Sequence, residues 1–272
     1  MDFYTECKRA LRAPDVETKS RIIDALLAYC NTNDVTTPEG FVPVVFDAPS
    51  YASIAQVVPP RELPQRKDFG TREGLATLVH AITHIELSAI DLALDAVYRF
   101  PDMPMDYKVD WLVVAEDEVR HYRMLHGVLE RLGHVYGDFS VHAGLFEMSM
   151  KTAGDVLDRM AVIPRYFEAG GLDVNPQIAR KLAAHAGDPL VAEVIEALGV
   201  IEAEEIDHVR KGDRWFRWLC EASGLDVSET FLAILDRYRL RSKQRPHMNI
   251  AARKEAGFAC EELLELGAKS CD

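Results

Sequence analysis

The sequence predicts an all-α protein: a four-helix bundle with extra helices at both ends and a proline-rich N-terminal arm. Three observations predict it. Long stretches repeat apolar residues every third and fourth position, the period of a helix with one buried face. No stretch alternates convincingly with the period of two expected of a strand. Finally, two of the helix patterns carry a Glu-x-x-His inside the apolar stripe, where an ionisable group is costly unless paired or bound to a metal.

Taken in order, Asp15 can cap a short amphipathic helix over 15–30. Residues 36–70 contain six prolines and little periodicity, which predicts an extended arm, and the apolar patches FVPVVF and IAQVV predict that it lies against the rest of the protein. Thr71 can cap a helix running to about Phe100, with the stripe Leu75, Val79, Ile82, Glu86, Ala89, Ala93, Val97. After the turn FPDMPMD, a second helix spans about 106–132 and stops at Gly133, with Trp111, Val114, Glu118, His121, Leu125, Val128 and Leu132 on its seam. Glu86 and Glu118 then fall at one level of an antiparallel pair. Residues 133–150 read as a long connection. A third helix is expected over about 151–169, with Gly154, Leu157, Ala161 and Glu168 along one side, kinked at Pro164 and ended by Gly170–Gly171. Residues 176–186 suggest a short extra helix. Asp188–Pro189 open the fourth long helix, which continues to about Glu221 with the stripe Val191, Val194, Leu198, Ile201, Glu205, His208, Gly212, Trp215, Leu219. Two outer helices are expected over 228–240 and 251–268. The domain division expected is 1–70 for the helix and arm, 71–225 for the bundle and 226–272 for the C-terminal extension.

With 272 residues and 48% apolar side chains, the chain can bury a large core. The start MDFYTECKRALRAPD has no apolar signal core and no run of eighteen apolar residues occurs, so a cytoplasmic protein without membrane spans is expected. The five cysteines, scattered and without CxxC, read as reduced thiols. A net charge of −13 argues against bulk capture of nucleic acid. Between Arg237 and Lys254, however, lie seven bases (Arg237, Arg239, Arg241, Lys243, Arg245, Arg253, Lys254) and no acid. This is either a solvated face or a local anion site for a small-molecule or phosphate-bearing substrate.

Glu86 on the first bundle helix, Glu118 and His121 on the second, Glu168 on the third, and Glu205 and His208 on the fourth follow the ligand order of di-metal carboxylate bundles. Four carboxylates offset the four charges of two divalent ions, and a set of carboxylates and imidazoles without thiolate suits iron, with manganese or a mixed pair as the alternative. The motif by itself is weak, since 22 Glu and 9 His give about 0.7 such pairs by chance; the register of both pairs on their own seams carries the reading. His80 and His84 point away from Glu86 and are assigned packing or surface roles. Glu202 is read as a solvated acid or an added ligand, Asp91 as a support for a histidine, and Tyr122 and Tyr166 as packing residues or partners of the site.

The stretches HIELSAIDLALDAVYRFPDMP, DWLVVAEDEVRHYRML, LGHVYGDF, DVLDRMAVIPRYFEAGGLDVNP and EEIDHVRKGDRWFRWLC resemble a bacterial ferritin-like family still classed by its unknown function. The likeness runs from about residue 60 to 260. It implies a ferritin-like bundle with a di-metal centre at the same six ligands. Gly170 stands where that family's pattern has Arg, and Arg210–Lys211 where smaller residues are usual. The wider superfamily contains oxygenases, among them a tRNA-modifying hydroxylase, as well as peroxidases and iron stores, so the fold alone does not select a reaction. The expectation is a di-iron oxidoreductase, monomeric or dimeric, that uses dioxygen or peroxide to oxidise or hydroxylate a substrate, with an electron donor if it is an oxygenase and tRNA the one nucleic acid to consider. A non-catalytic iron-handling protein is the alternative.

Overall fold

The computed structural model describes residues 1–241 and 247–271, where the regular elements are helices joined by loops, apart from one isolated β-bridge. The chain forms two compact units, Met1–Lys151 with Leu182–Ala197, and Thr152–Lys181 with Leu198–Asp272.

The first unit opens with a helix that the sequence reading passed over, α1 (Phe3–Arg12). Asp2 caps it by accepting from Thr5 N at 3.1 Å, and Phe3, Cys7, Ala10 and Leu11 are buried at helical spacing. Helix α2 (Val16–Cys30) starts where Asp15 accepts from Thr18 N at 2.7 Å. Lys19 is wholly buried and donates to Ala10 O at 2.9 Å and to Asp91 at 2.5 Å, which ties both helices to the next. Helix α3 (Arg72–Arg99), capped by Thr71 through Gly74 N, and α4 (Met105–Arg131) run antiparallel: Arg72 at the start of one donates to Arg131 O at the end of the other, at 3.3 Å. The turn between them is closed by Lys108, whose ammonium donates to Pro101 O at 2.9 Å. By length and composition α3 could cross a membrane, but most of its apolar window is buried inside the protein. The arm lies on the helices. Val44 N donates to Tyr98 OH at 3.1 Å, Tyr51 is buried, and Val57 pairs with Val141 in the parallel bridge. The 133–150 stretch is not a connection throughout, because its end forms helix α5 (Gly144–Lys151).

His80 and His84 take the packing role. His80 is buried, stacks on Tyr136 with ring centroids 5.1 Å apart and accepts from Gly137 N at 2.9 Å.

In the second unit, α6 (Val156–Val162) starts later than the third helix was expected to. Asp155 caps it through Leu157 N and Asp158 N, and Gly154 stays outside. Pro164 acts through a π-helical segment, Ile163–Glu168, rather than a sharp kink. Gly170–Gly171 do not end the helix, which continues as α7 (Ala169–Leu182) and absorbs most of the separate helix expected at 176–186. Pro176 sits inside α7 and cannot donate to the Leu172 carbonyl; Asn249 Nδ2 donates there instead, at 3.3 Å. Helix α8 (Pro189–Ser223) begins where Asp188 accepts from Leu190 N, and it enters the second unit at Leu198. Helix α9 (Val227–Arg237) follows as expected. The last expected helix is split into α10 (Ile250–Glu255) and α11 (Cys260–Glu265). The break is at Gly257 (φ +109°), where a Cβ would meet Asp213 Oδ2 at 2.4 Å. The reading of five reduced thiols fails for one pair: the chain turns back after α11 and joins Cys271 to Cys260 in a disulfide with Cα atoms 5.7 Å apart.

The core of this unit is organised by Arg165, which the sequence reading did not single out. It is wholly buried, its guanidinium 4.7, 4.1 and 4.8 Å from the rings of Phe216, Phe231 and Phe258. Asp213 at 2.9 Å and Glu262 at 2.7 Å balance its charge, and Arg217 bridges the same two carboxylates.

Two expectations follow. Pro164 packs on Gly212 so closely that a Cβ there would lie 2.2 Å from the ring; Gly212→Ala should cost roughly 1–3 kcal/mol, read as a lower urea midpoint at unchanged slope. Burial holds His80 down at about 4, against 6.5 for an exposed imidazole. Below pH 6.5 the unfolded chain therefore takes up a proton that the folded chain refuses, and stability falls as pH drops toward 4. His80→Gln removes that contribution. The stability gap between wild type and variant, measured by urea unfolding, should shift in the variant's favour by on the order of 2 kcal/mol between pH 7 and 4.5.

Candidate metal centre

Helices α3 and α4 each bring ionisable side chains to the middle of their length. Glu86, Glu118 and His121 occupy the seam positions expected of them and are buried, with exposures of 4%, 0% and 0%. His121 Nδ1 donates to Glu118 Oε2 at 3.1 Å and lies 3.4 Å from Glu86 Oε2. One ligand atom from each residue falls within 4.8 Å of the others. Two ligands across a single first-row ion stand roughly 4 Å apart, so this buried group could hold a metal ion.

The electrostatics of the group fit a cation. Burial pushes the Glu86 carboxyl up to about 8; the hydrogen bond from His121 works against this and the neighbouring Glu118 carboxylate adds to it. Burial disfavours the His121 imidazolium, but its hydrogen bonds to Glu118 and Glu86 outweigh that and hold it up at about 11. Protons thus supply the positive charge among the carboxylates, and a metal ion would displace them. The donor set, carboxylate oxygen and imidazole nitrogen, is that of hard to borderline divalent ions.

The other three expected ligands lie in the second unit. Glu168 is half-buried at the end of the π-helical segment, a kind of distortion frequent at functional sites. Glu205 and His208 share one buried face of α8, 8% and 0% exposed, with His208 Nδ1 4.0 Å from Glu205 Oε2. Ile201, Gly212 and Trp215 on the same stripe are buried as well.

The model of the family described as Protein of unknown function (DUF455) matches residues 12–264. The chain belongs to this family. A relative from Haemophilus influenzae (strain ATCC 51907 / DSM 11121 / KW20 / Rd), bearing the name Uncharacterized protein, is 35% identical over 274 residues, covering 96% of this chain and 92% of the relative. No solved structure matches.

In this DUF455 chain the remaining candidate residues have other partners. Asp91 does not support a histidine: it accepts from Lys19 and from Ser50 Oγ, each at 2.5 Å. Glu202 accepts from Asn249 Nδ2 at 3.1 Å, which makes it a tie to α10. Tyr166 donates to Leu240 O at 2.6 Å, and Tyr122 stacks on His126 at 5.3 Å. Of the basic stretch, Arg237 pairs with Asp158, Arg241 with Asp236 and Glu265, and Arg253 with Asp173. Lys243 and Arg245 lie outside the described residues.

Because Glu86 is disfavoured as a buried anion, metal-free Glu86→Gln should melt no lower than metal-free wild type. Adding ferrous or manganous ions should raise the melting temperature of the wild type but leave the variant's unchanged. Thermal scans of chelator-treated protein, with and without added metal, check both statements.

Proposed function

We propose that this protein is a ferritin-like di-metal oxidoreductase. In this reading Glu86, Glu118, His121, Glu168, Glu205 and His208 together hold two ions, iron first and manganese as the alternative. The observation that carries the reading is the buried group of Glu86, Glu118 and His121, which is costly to keep without a cation. The second set supports it by chemistry and register: another Glu-x-x-His buried on a helix seam, with a glutamate on a distorted helix. Glu205 is the residue of that set that the proposal brings to the first three.

When bound, two redox-active ions supply electrons to dioxygen or peroxide, which makes oxidation or hydroxylation of an organic substrate available. The chain's own residues set the conditions. The carboxylates neutralise the ions inside an apolar interior, and buried Ile82, Ala89, Val114 and Leu125 on the same seams keep water away. Glu118 accepts a hydrogen bond from His121 Nδ1, and with Glu86 at 3.4 Å it orients the ring.

The test is anaerobic titration with ferrous iron followed by exposure to oxygen. The reading expects about two ions per chain and an absorbance change on oxygen addition that Glu118→Ala and Glu205→Ala abolish. Less than one ion per chain, or bound iron indifferent to oxygen, contradicts it.

A further inference from the structure

A second site lies elsewhere in the first unit, where the arm crosses the stretch after α4. The backbone fixes its shape. Val58 N donates to Val141 O at 2.8 Å and Val141 N to Gln56 O at 2.9 Å, pinning the arm down as a roof. Beneath it is a cleft of about 440 Å³, partly open to solvent, with Leu63, Pro64, Ile85 and Phe139 among its apolar walls. Its polar lining includes His80, His142 and Arg66.

The hydrogen bonds determine what these groups present. Gly137 N donates to His80 Nε2 at 2.9 Å, so the proton of that neutral ring is on Nδ1. Gly144 N donates to His142 Nδ1 at 3.1 Å, so there the proton is on Nε2. Among the described residues neither protonated nitrogen has a hydrogen-bond partner. His84 completes the frame. A carbonyl only accepts, so its Nε2 donates to His142 O at 2.8 Å, and Tyr136 OH then donates to its Nδ1 at 2.9 Å. His84 is therefore fully used and holds the His142 backbone in place, as does Tyr51 OH at 3.3 Å from the same carbonyl.

We propose that this cleft binds a small oxyanion, a carboxylate or phosphate group carried on a short apolar body, through the two imidazole N–H groups and the Arg66 guanidinium. A cation is a poor occupant, because the lone pairs of His80 Nε2 and His142 Nδ1 already accept backbone N–H groups. Burial keeps both imidazoles below their ordinary range, so they are neutral donors at pH 7 and Arg66 brings the full charge. The Asp138 carboxylate, which acts on His80, is itself occupied by Val135 N at 3.0 Å and His134 at 3.3 Å. Apolar walls with a few fixed donors are the general form of small-molecule sites.

Calorimetric titration of the full chain with inorganic phosphate, acetate and butyrate tests this. The proposal expects saturable one-site binding with a dissociation constant on the order of 1 mM or tighter. Butyrate should bind more tightly than acetate if the apolar wall is used, and phosphate more tightly than either if charge dominates. Arg66→Gln, at an exposed position that leaves the fold intact, should weaken binding about tenfold, whereas Arg61→Gln on the same arm should leave it unchanged. Heats that do not saturate for any of the three anions, or binding equal in Arg66→Gln and wild type, overturn the proposal.

Discussion

The burial of charge on the α3–α4 seam is the constraint on which the rest depends. Glu86, Glu118 and His121 sit where every neighbouring seam position is apolar, and a carboxylate there loses its hydration. Hydrogen bonds and retained protons moderate the cost without removing it, as the raised Glu86 carboxyl shows. Such an arrangement costs stability, and a bound cation is the simplest compensation for it.

The second unit handles buried charge differently. There Arg165 and Arg217 meet Asp213 and Glu262 in a cluster whose formal charges cancel, with three phenyl rings around the Arg165 guanidinium. Its charge is balanced by its own side chains. Arg165 belongs to the π-helical segment that ends at Glu168, so its fixed position also fixes the helical distortion carrying that carboxylate. Pro164 resting on Gly212 fixes the same segment from the α8 side.

Much of this was legible in the sequence, for identifiable reasons. Caps are local chemistry, so Asp15, Thr71 and Asp188 marked their helix starts correctly. The long helices were legible because their stripes persist over many turns, and the burial of Glu86, Glu118, His121, Glu205 and His208 was legible because each interrupts such a stripe. Features that depend on distant partners were not legible. Gly170–Gly171 looked like a stop, but Asn249, far along the chain, supplies the hydrogen bond that Pro176 cannot, and the helix continues. Nothing in the sequence singles out Arg165, because its carboxylates come from α8 and α11. Asp91 was misjudged because its partner Lys19 is 72 residues away. Helix α1 could have been found, since Phe3, Cys7, Ala10 and Leu11 already showed the spacing.

The most direct test of the metal account is anomalous diffraction at the iron absorption edge from crystals of iron-loaded protein. The account predicts two peaks, one of them bonded by Glu86, Glu118 and His121. Density in which those three side chains bond only to one another, with iron absent or held elsewhere on the chain, would contradict it.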